Sequence, residues 1–202
     1  MNNKALIFIF LAILTLTACG QNRNTISTQN ENKPIANEAK KVTETQKDLK
    51  ENECKICDFD FANYKGELKK EEIDGLLLAL NDEYLATAIY EQVNKDFANP
   101  RPFINIVQAE MKHADTLKAL FVNYKLNVPD NPWFGNAPKY TNVAEACKAG
   151  VDAEIVNRDL YTKLFKSTTR EDILTVYRAL QRASEENHLP AFERCGGGKG
   201  NR

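Results

Sequence analysis

Ile106-Val107-Gln108-Ala109-Glu110-Met111-Lys112-His113 is the stretch on which the fold turns. Phe103, Ile106, Val107, Ala114, Leu117, Phe121 and Tyr124 recur at the intervals of one helix face, and Glu110 and His113 fall on that same face. A buried ionised carboxylate is costly unless it is paired or bound to a cation. The pattern repeats in Glu185-Glu186-Asn187-His188, between Tyr177 and Phe192, and these two histidines are the only ones in 202 residues. Residues three apart on a helix share a face, so each Glu-x-x-His presents both side chains together.

Each of these segments follows another that carries a lone glutamate in line with its apolar stripe. Glu83 lies three residues after Leu80 and four before Thr87, in a stripe of Ile73, Leu76, Leu77, Leu80, Tyr84 and Ala88. Glu154 follows Gly150 and Val151 and precedes Tyr161. The spacing is similar in the two halves, 27 residues from Glu83 to Glu110 and 31 from Glu154 to Glu185. Glu83, Glu110, His113, Glu154, Glu185 and His188 therefore make up the four carboxylates and two imidazoles of a carboxylate-bridged dinuclear metal centre. Two metal ions are expected. Iron is favoured, with manganese and zinc open, because all three accept this donor set.

The periodicity predicts helices over about 69–97, 103–126, 142–166 and 169–192, with no convincing strand. Pro100 and Pro102 separate the first two. Asn142 with Glu145, and Thr169 with Asp172, have the spacing of capping boxes, and Pro190 should kink or end the last helix. The Pro- and Asn-rich loop 127–140 extends to about 50 Å, more than the roughly 37 Å of a 25-residue helix. The expected fold is all-α, a ferritin-like four-helix bundle over 67–195 in which two antiparallel hairpins are joined by a long crossover. Residues 196–202 read as a disordered tail.

The front of the chain reads as an address. Lys4 precedes the apolar run Ala5–Thr17, which is too short to span a membrane and fits a signal peptide over 1–18. Leu16-Thr17-Ala18-Cys19-Gly20 resembles a bacterial lipobox, which implies cleavage before Cys19, its lipidation, and tethering to a membrane outside the cytoplasm. Residues 19–66 form the expected linker, polar up to about Lys50. Of five cysteines, Cys19 takes lipid and four remain for an oxidising compartment. Cys54-Lys55-Ile56-Cys57 is open to a redox pair, half a zinc site or a local disulfide. With no second CxxC and no spare histidine a zinc site fails on ligand count, and the local disulfide is favoured. If Glu154 and Glu185 lie level in antiparallel helices, Cys147 falls level with Phe192, within reach of a disulfide to Cys195.

Three segments also carry a family resemblance: Asp82-Glu83-Tyr84-Leu85-Ala86 through Tyr90, Ile106 through His113, and Ala183 through Phe192. Over about residues 70–195 they resemble the ferritin-like family called domain of unknown function 2202. More widely, the ligand pattern resembles rubrerythrins and ferritins, which implies oxidation of Fe(II) or reduction of peroxide, with a small oxidant or Fe(II) as substrate. The rubredoxin-like iron domain of a rubrerythrin is missing, so no electron supply is legible.

The expected function is an exported dinuclear, most readily di-iron, redox protein. The alternatives are a non-catalytic metal-binding protein and a structural envelope lipoprotein, and a homodimer is open. Tyr84, Tyr90 and Tyr161 could donate to the ligands or serve as radical sinks, though a place in the core is favoured. Glu91 and Glu186 read as facing solvent or pairing with Lys rather than as extra ligands. A net charge of -1, from 27 Lys and Arg against 28 Asp and Glu, gives nucleic-acid binding no electrostatic basis. Nucleophilic catalysis lacks a free histidine base.

Overall fold

The computed structural model describes residues 59–196. The signal peptide, Cys19, most of the linker, the Cys54/Cys57 pair and the tail beyond 196 lie outside them. The described residues form α1 (Lys70–Asp96), α2 (Phe103–Asn123), α3 (Val143–Leu164) and a fourth helical run. That run comprises α4 (Glu171–Ala183), a π-helical turn (Ser184–His188) and α5 (Leu189–Gly196). No strand occurs among the described residues, and none of their helices is long and apolar enough to cross a membrane. The architecture is all-helical and compatible with a four-helix bundle.

Local chemistry explains where the helices begin and end. At the start of α1, Glu72 Oε2 accepts from the Lys69 backbone N–H at 2.8 Å. Its end is closed by the Asn99 N–H donating to the Asn94 carbonyl across Ala98, at φ 56°, and α2 ends the same way around Lys125, at φ 57°. Asn142 caps α3 by accepting from the Glu145 N–H, while the Glu145 carboxylate turns back to Thr141 rather than to Asn142. The capping box expected at Thr169 is absent: Arg170 is the N-cap, its N–H donating to Thr168 Oγ1, and Asp172 is buried and accepts from the Tyr124 hydroxyl at 2.6 Å. Pro190 does not end the last helix, which continues to Gly196. The i→i+5 turn just before it carries the Leu189 N–H to the Ser184 carbonyl and changes the bonding pattern that proline would otherwise interrupt.

Two apolar clusters fill the interior. Leu76, Leu80, Leu117, Leu120, Tyr161, Ile173 and Tyr177 belong to one; Tyr90, Val93, Phe103, Ile106, Cys147 and Phe192 belong to the other. Each fully buried large side chain contributes about 1.5–3 kcal/mol. The connection from α2 to α3 runs from one to the other. Tyr124, Leu126 and Trp133 pack on the first cluster, Tyr140 and Val143 on the second, and Trp133 Nε1 donates to Asn81 Oδ1 on the way. Ordered packing also reaches upstream of the boundary read at residue 67, because Phe61 is buried in the first cluster and Phe59 packs against it.

At the second cluster a Cys147–Cys195 disulfide joins α3 to α5, with a Cα separation of 5.8 Å. Beside it, Gly150 lets the Phe192 ring approach the α3 backbone, where an added Cβ would lie 2.7 Å from the ring.

Candidate metal centre

The carboxylates and imidazoles are held between the two apolar clusters. Glu83 comes from α1, Glu110 and His113 from α2, Glu154 from α3 and His188 from the π-turn. All five are buried, His113 being the most exposed at 6%. They fall into two groups, Glu83–Glu110–His113 and Glu110–Glu154–His188, in each of which one donor atom per residue lies within 4.8 Å of the others. Glu110 belongs to both. Its Oε2 lies 2.8 Å from His113 Nδ1 and its Oε1 lies 3.0 Å from His188 Nδ1. The two imidazole rings stack with centroids 5.6 Å apart.

A reciprocal pair of tyrosines orients the outer carboxylates. Tyr90, seven residues after Glu83 on α1, donates to Glu154 Oε1 on α3 at 2.8 Å. Tyr161, seven residues after Glu154 on α3, donates to Glu83 Oε1 on α1 at 2.6 Å. Ser184 completes the second group by donating to Glu154 Oε2 at 2.6 Å. Tyr84 stands apart, its hydroxyl donating to the Pro129 carbonyl, and Glu91 and Glu186 are exposed.

The cluster balances its own charge. Burial works against ionisation of Glu110, but the His188 and His113 imidazoliums hold its carboxyl well below the usual range. Burial disfavours the charged form of His113, yet the bonds to Glu110 and Glu83 raise it to about 9; His188 is raised well above its ordinary value by Glu110 and Glu154. Glu83 is pushed up to about 8 by burial and by the neighbouring Glu110 charge. Burial and the adjacent carboxylates push both Tyr90 and Tyr161 well up, so they remain hydroxyl donors.

Glu185 is the one expected ligand that the structure does not bring in. It is exposed, and Ser184 occupies the buried position beside Glu154. The cause is the π-turn. The three-residue spacing that aligns Glu110 with His113 assumes α-helical pitch, whereas a widened turn brings residues four apart, Ser184 and His188, onto one face. Pro190 was the available sign that this helix departs from regular pitch. Sequence reading also passed over Asp82, beside Glu83, whose carboxylate accepts from Asn157 Nδ2 at 2.7 Å.

The donor set fits a pair of divalent metal ions. Hard carboxylate oxygens and imidazole nitrogens suit iron, manganese or zinc. Glu110 can bridge, each group supplies an outer Glu and a His, Glu83 Oε2 lies 3.4 Å from His113 Nδ1, and the Thr87 hydroxyl is buried with no hydrogen-bond partner. The π-turn at the site is in keeping with the tendency of such turns to occur at functional positions.

Comparison with known proteins agrees on family and adds no activity. Residues 72–202 match the family described as Uncharacterized protein domain (DUF2202). The crystal structure of hypothetical protein MJ0754 from Methanococcus jannaschii DSM 2661 is similar, at 27% identity and a TM-score of 0.59, over 68% of this chain and 86% of that one. No protein of curated function matches.

Proposed function

The chain belongs to the DUF2202 family, and from its buried cluster we propose that it is a ferritin-like dinuclear metal protein, with two iron ions held by Glu83, Glu110, His113, Glu154 and His188. The single observation that supports this reading is Glu110, shared by two buried Glu/His groups. Two iron ions bound there would supply one-electron steps between the ferrous and ferric states to dioxygen or peroxide, or would take them from incoming Fe(II).

The residues of the chain do the rest. Glu83 and the two histidines hold protons that binding displaces. Tyr161 fixes one oxygen of Glu83, and Tyr90 and Ser184 between them fix both oxygens of Glu154, so the outer carboxylates are oriented before any ion arrives. The surrounding apolar clusters exclude bulk water. Cleavage before Cys19 and its lipidation would place this bundle outside the cytoplasm on a bacterial membrane.

A second reading has one observation in its favour. The five residues already pair with one another, as a buried polar cluster that only fixes helix register would. Metal analysis of the chain purified without an affinity tag, beside Glu110→Ala, separates the two. About two ions per chain in the parent, lost in the variant, are expected. A folded parent that takes up no metal on anaerobic Fe(II) loading would establish the structural reading instead. Spectral change on adding peroxide to the loaded protein then distinguishes turnover from storage.

A further inference from the structure

One cavity reaches the buried cluster, and it does so from the side of Glu154. A cavity of about 210 Å³ opens beside α1 and α3, and its walls include Glu110 and Glu154 but neither Glu83 nor either histidine. Its charged lining is acidic, Asp82 and the exposed Asp152 joining the two glutamates, and no Lys or Arg contributes to it. Asn157 also lines it. The Asn157 side chain donates to Asp82, and its Oδ1 is buried with no hydrogen-bond partner. A free amide oxygen beside carboxylates is a set of hard donors suited to a divalent cation that keeps some of its water. A low-dielectric cleft lined by one sign of charge concentrates counter-ions and speeds their arrival.

We propose that this cavity is the port by which hydrated divalent cations reach the centre, with Asp82, Asp152 and Asn157 as its outer station. The ion meets the Glu110–Glu154–His188 group first, and the Glu83–Glu110–His113 group fills second, through the shared Glu110. The proposal rests on the dinuclear reading above and adds a route and an order to it.

Stopped-flow uptake of Co(II) by the metal-free full chain, followed by its visible absorption, tests this. Val156 lines the cavity at the surface with 53% exposure, so Val156→Trp narrows the mouth without touching a ligand. Uptake should slow at least about tenfold at unchanged final stoichiometry, while Val122→Trp, at a surface position of 68% exposure, should load at the parent rate. Asp82→Asn with Asp152→Asn should slow uptake several-fold and flatten its dependence on ionic strength. Parent rates and parent salt dependence in both cavity variants would overturn the port while leaving the dinuclear centre standing. A folded parent that binds no Co(II) would overturn both.

Discussion

Loading the centre at pH 7 should expel about three protons for each pair of metal ions. Metal ligands must be deprotonated, and here the metal-free cluster holds its charge balance with protons. His113, raised to about 9, and His188, raised well above its ordinary value, are both imidazolium at pH 7; Glu83, raised to about 8, is about nine-tenths protonated. Glu110, held low between the two imidazoliums, has no proton to give. Three protons displaced make the overall constant for the pair rise about a thousandfold per pH unit near neutrality, or roughly 4 kcal/mol, flattening as the pH passes 9. Calorimetric titration with Co(II) in two buffers of different ionisation enthalpy counts the protons directly. Release of fewer than about one proton, with affinity unchanged between pH 6 and 8, would refute the reasoning: the imidazoles would then be neutral in the metal-free protein, or the metal bound elsewhere.

Other outcomes follow from the same structure. The metal-free protein should lose stability as pH rises from about 6.5 through 9, measured as a falling Tm. The folded histidines keep protons that unfolded histidine gives up near 6.5, so their contribution is complete below that value and is lost as pH passes about 9. Glu83, ionising near 4.5 when unfolded and near 8 when folded, acts in the same direction, and bound metal should abolish the trend. Replacing Cys147 and Cys195 by serine opens a cross-link of sequence separation 48, worth about 4 kcal/mol by loop entropy, and urea unfolding should show a loss of that order. Gly150→Ala forces a methyl against the Phe192 ring and should cost about 1–3 kcal/mol in the same assay. Glu185→Ala should leave metal stoichiometry unchanged and stability within about 0.5 kcal/mol, whereas Ser184→Ala, which removes the bond to Glu154, should cost about 1.5–3 kcal/mol.

How much of this was legible in the sequence depended on whether the helices kept regular pitch. In α1, α2 and α3 they do, so the apolar stripes placed Glu83, Glu110, His113 and Glu154 on inward faces, and the structure groups them there. Around Ser184 the pitch widens, and the i,i+3 rule that works for Glu110 and His113 names Glu185 where Ser184 is buried. His188 is found by either spacing because it is the buried end of both. Capping failed at Thr169 for a different reason. Asp172 has the sequence look of a helix-start acid, but Tyr124 on the far side of the loop takes its carboxylate, and no local pattern encodes a partner 48 residues away. Tyr90 and Tyr161 were expected in the core, where an aromatic ring is ordinary; their hydroxyl contacts depend on how α1 and α3 align, which is a tertiary property. The same holds for the pairing of Asp82 with Asn157, which are 75 residues apart.

The tyrosine exchange between α1 and α3 has a mechanical consequence. Each helix carries a carboxylate and, two turns on, the hydroxyl that holds the carboxylate of the other, so the pair behaves like a bolt fastened at both ends. Sliding one helix along the other by a single turn, about 5.4 Å, would break both bonds at once and strand two buried glutamates. Intermediate offsets gain nothing. The axial alignment of these helices is therefore all-or-none, and with it the distance between the two metal-holding groups. That distance is a shared property of the two helices, insensitive to small adjustments in either one.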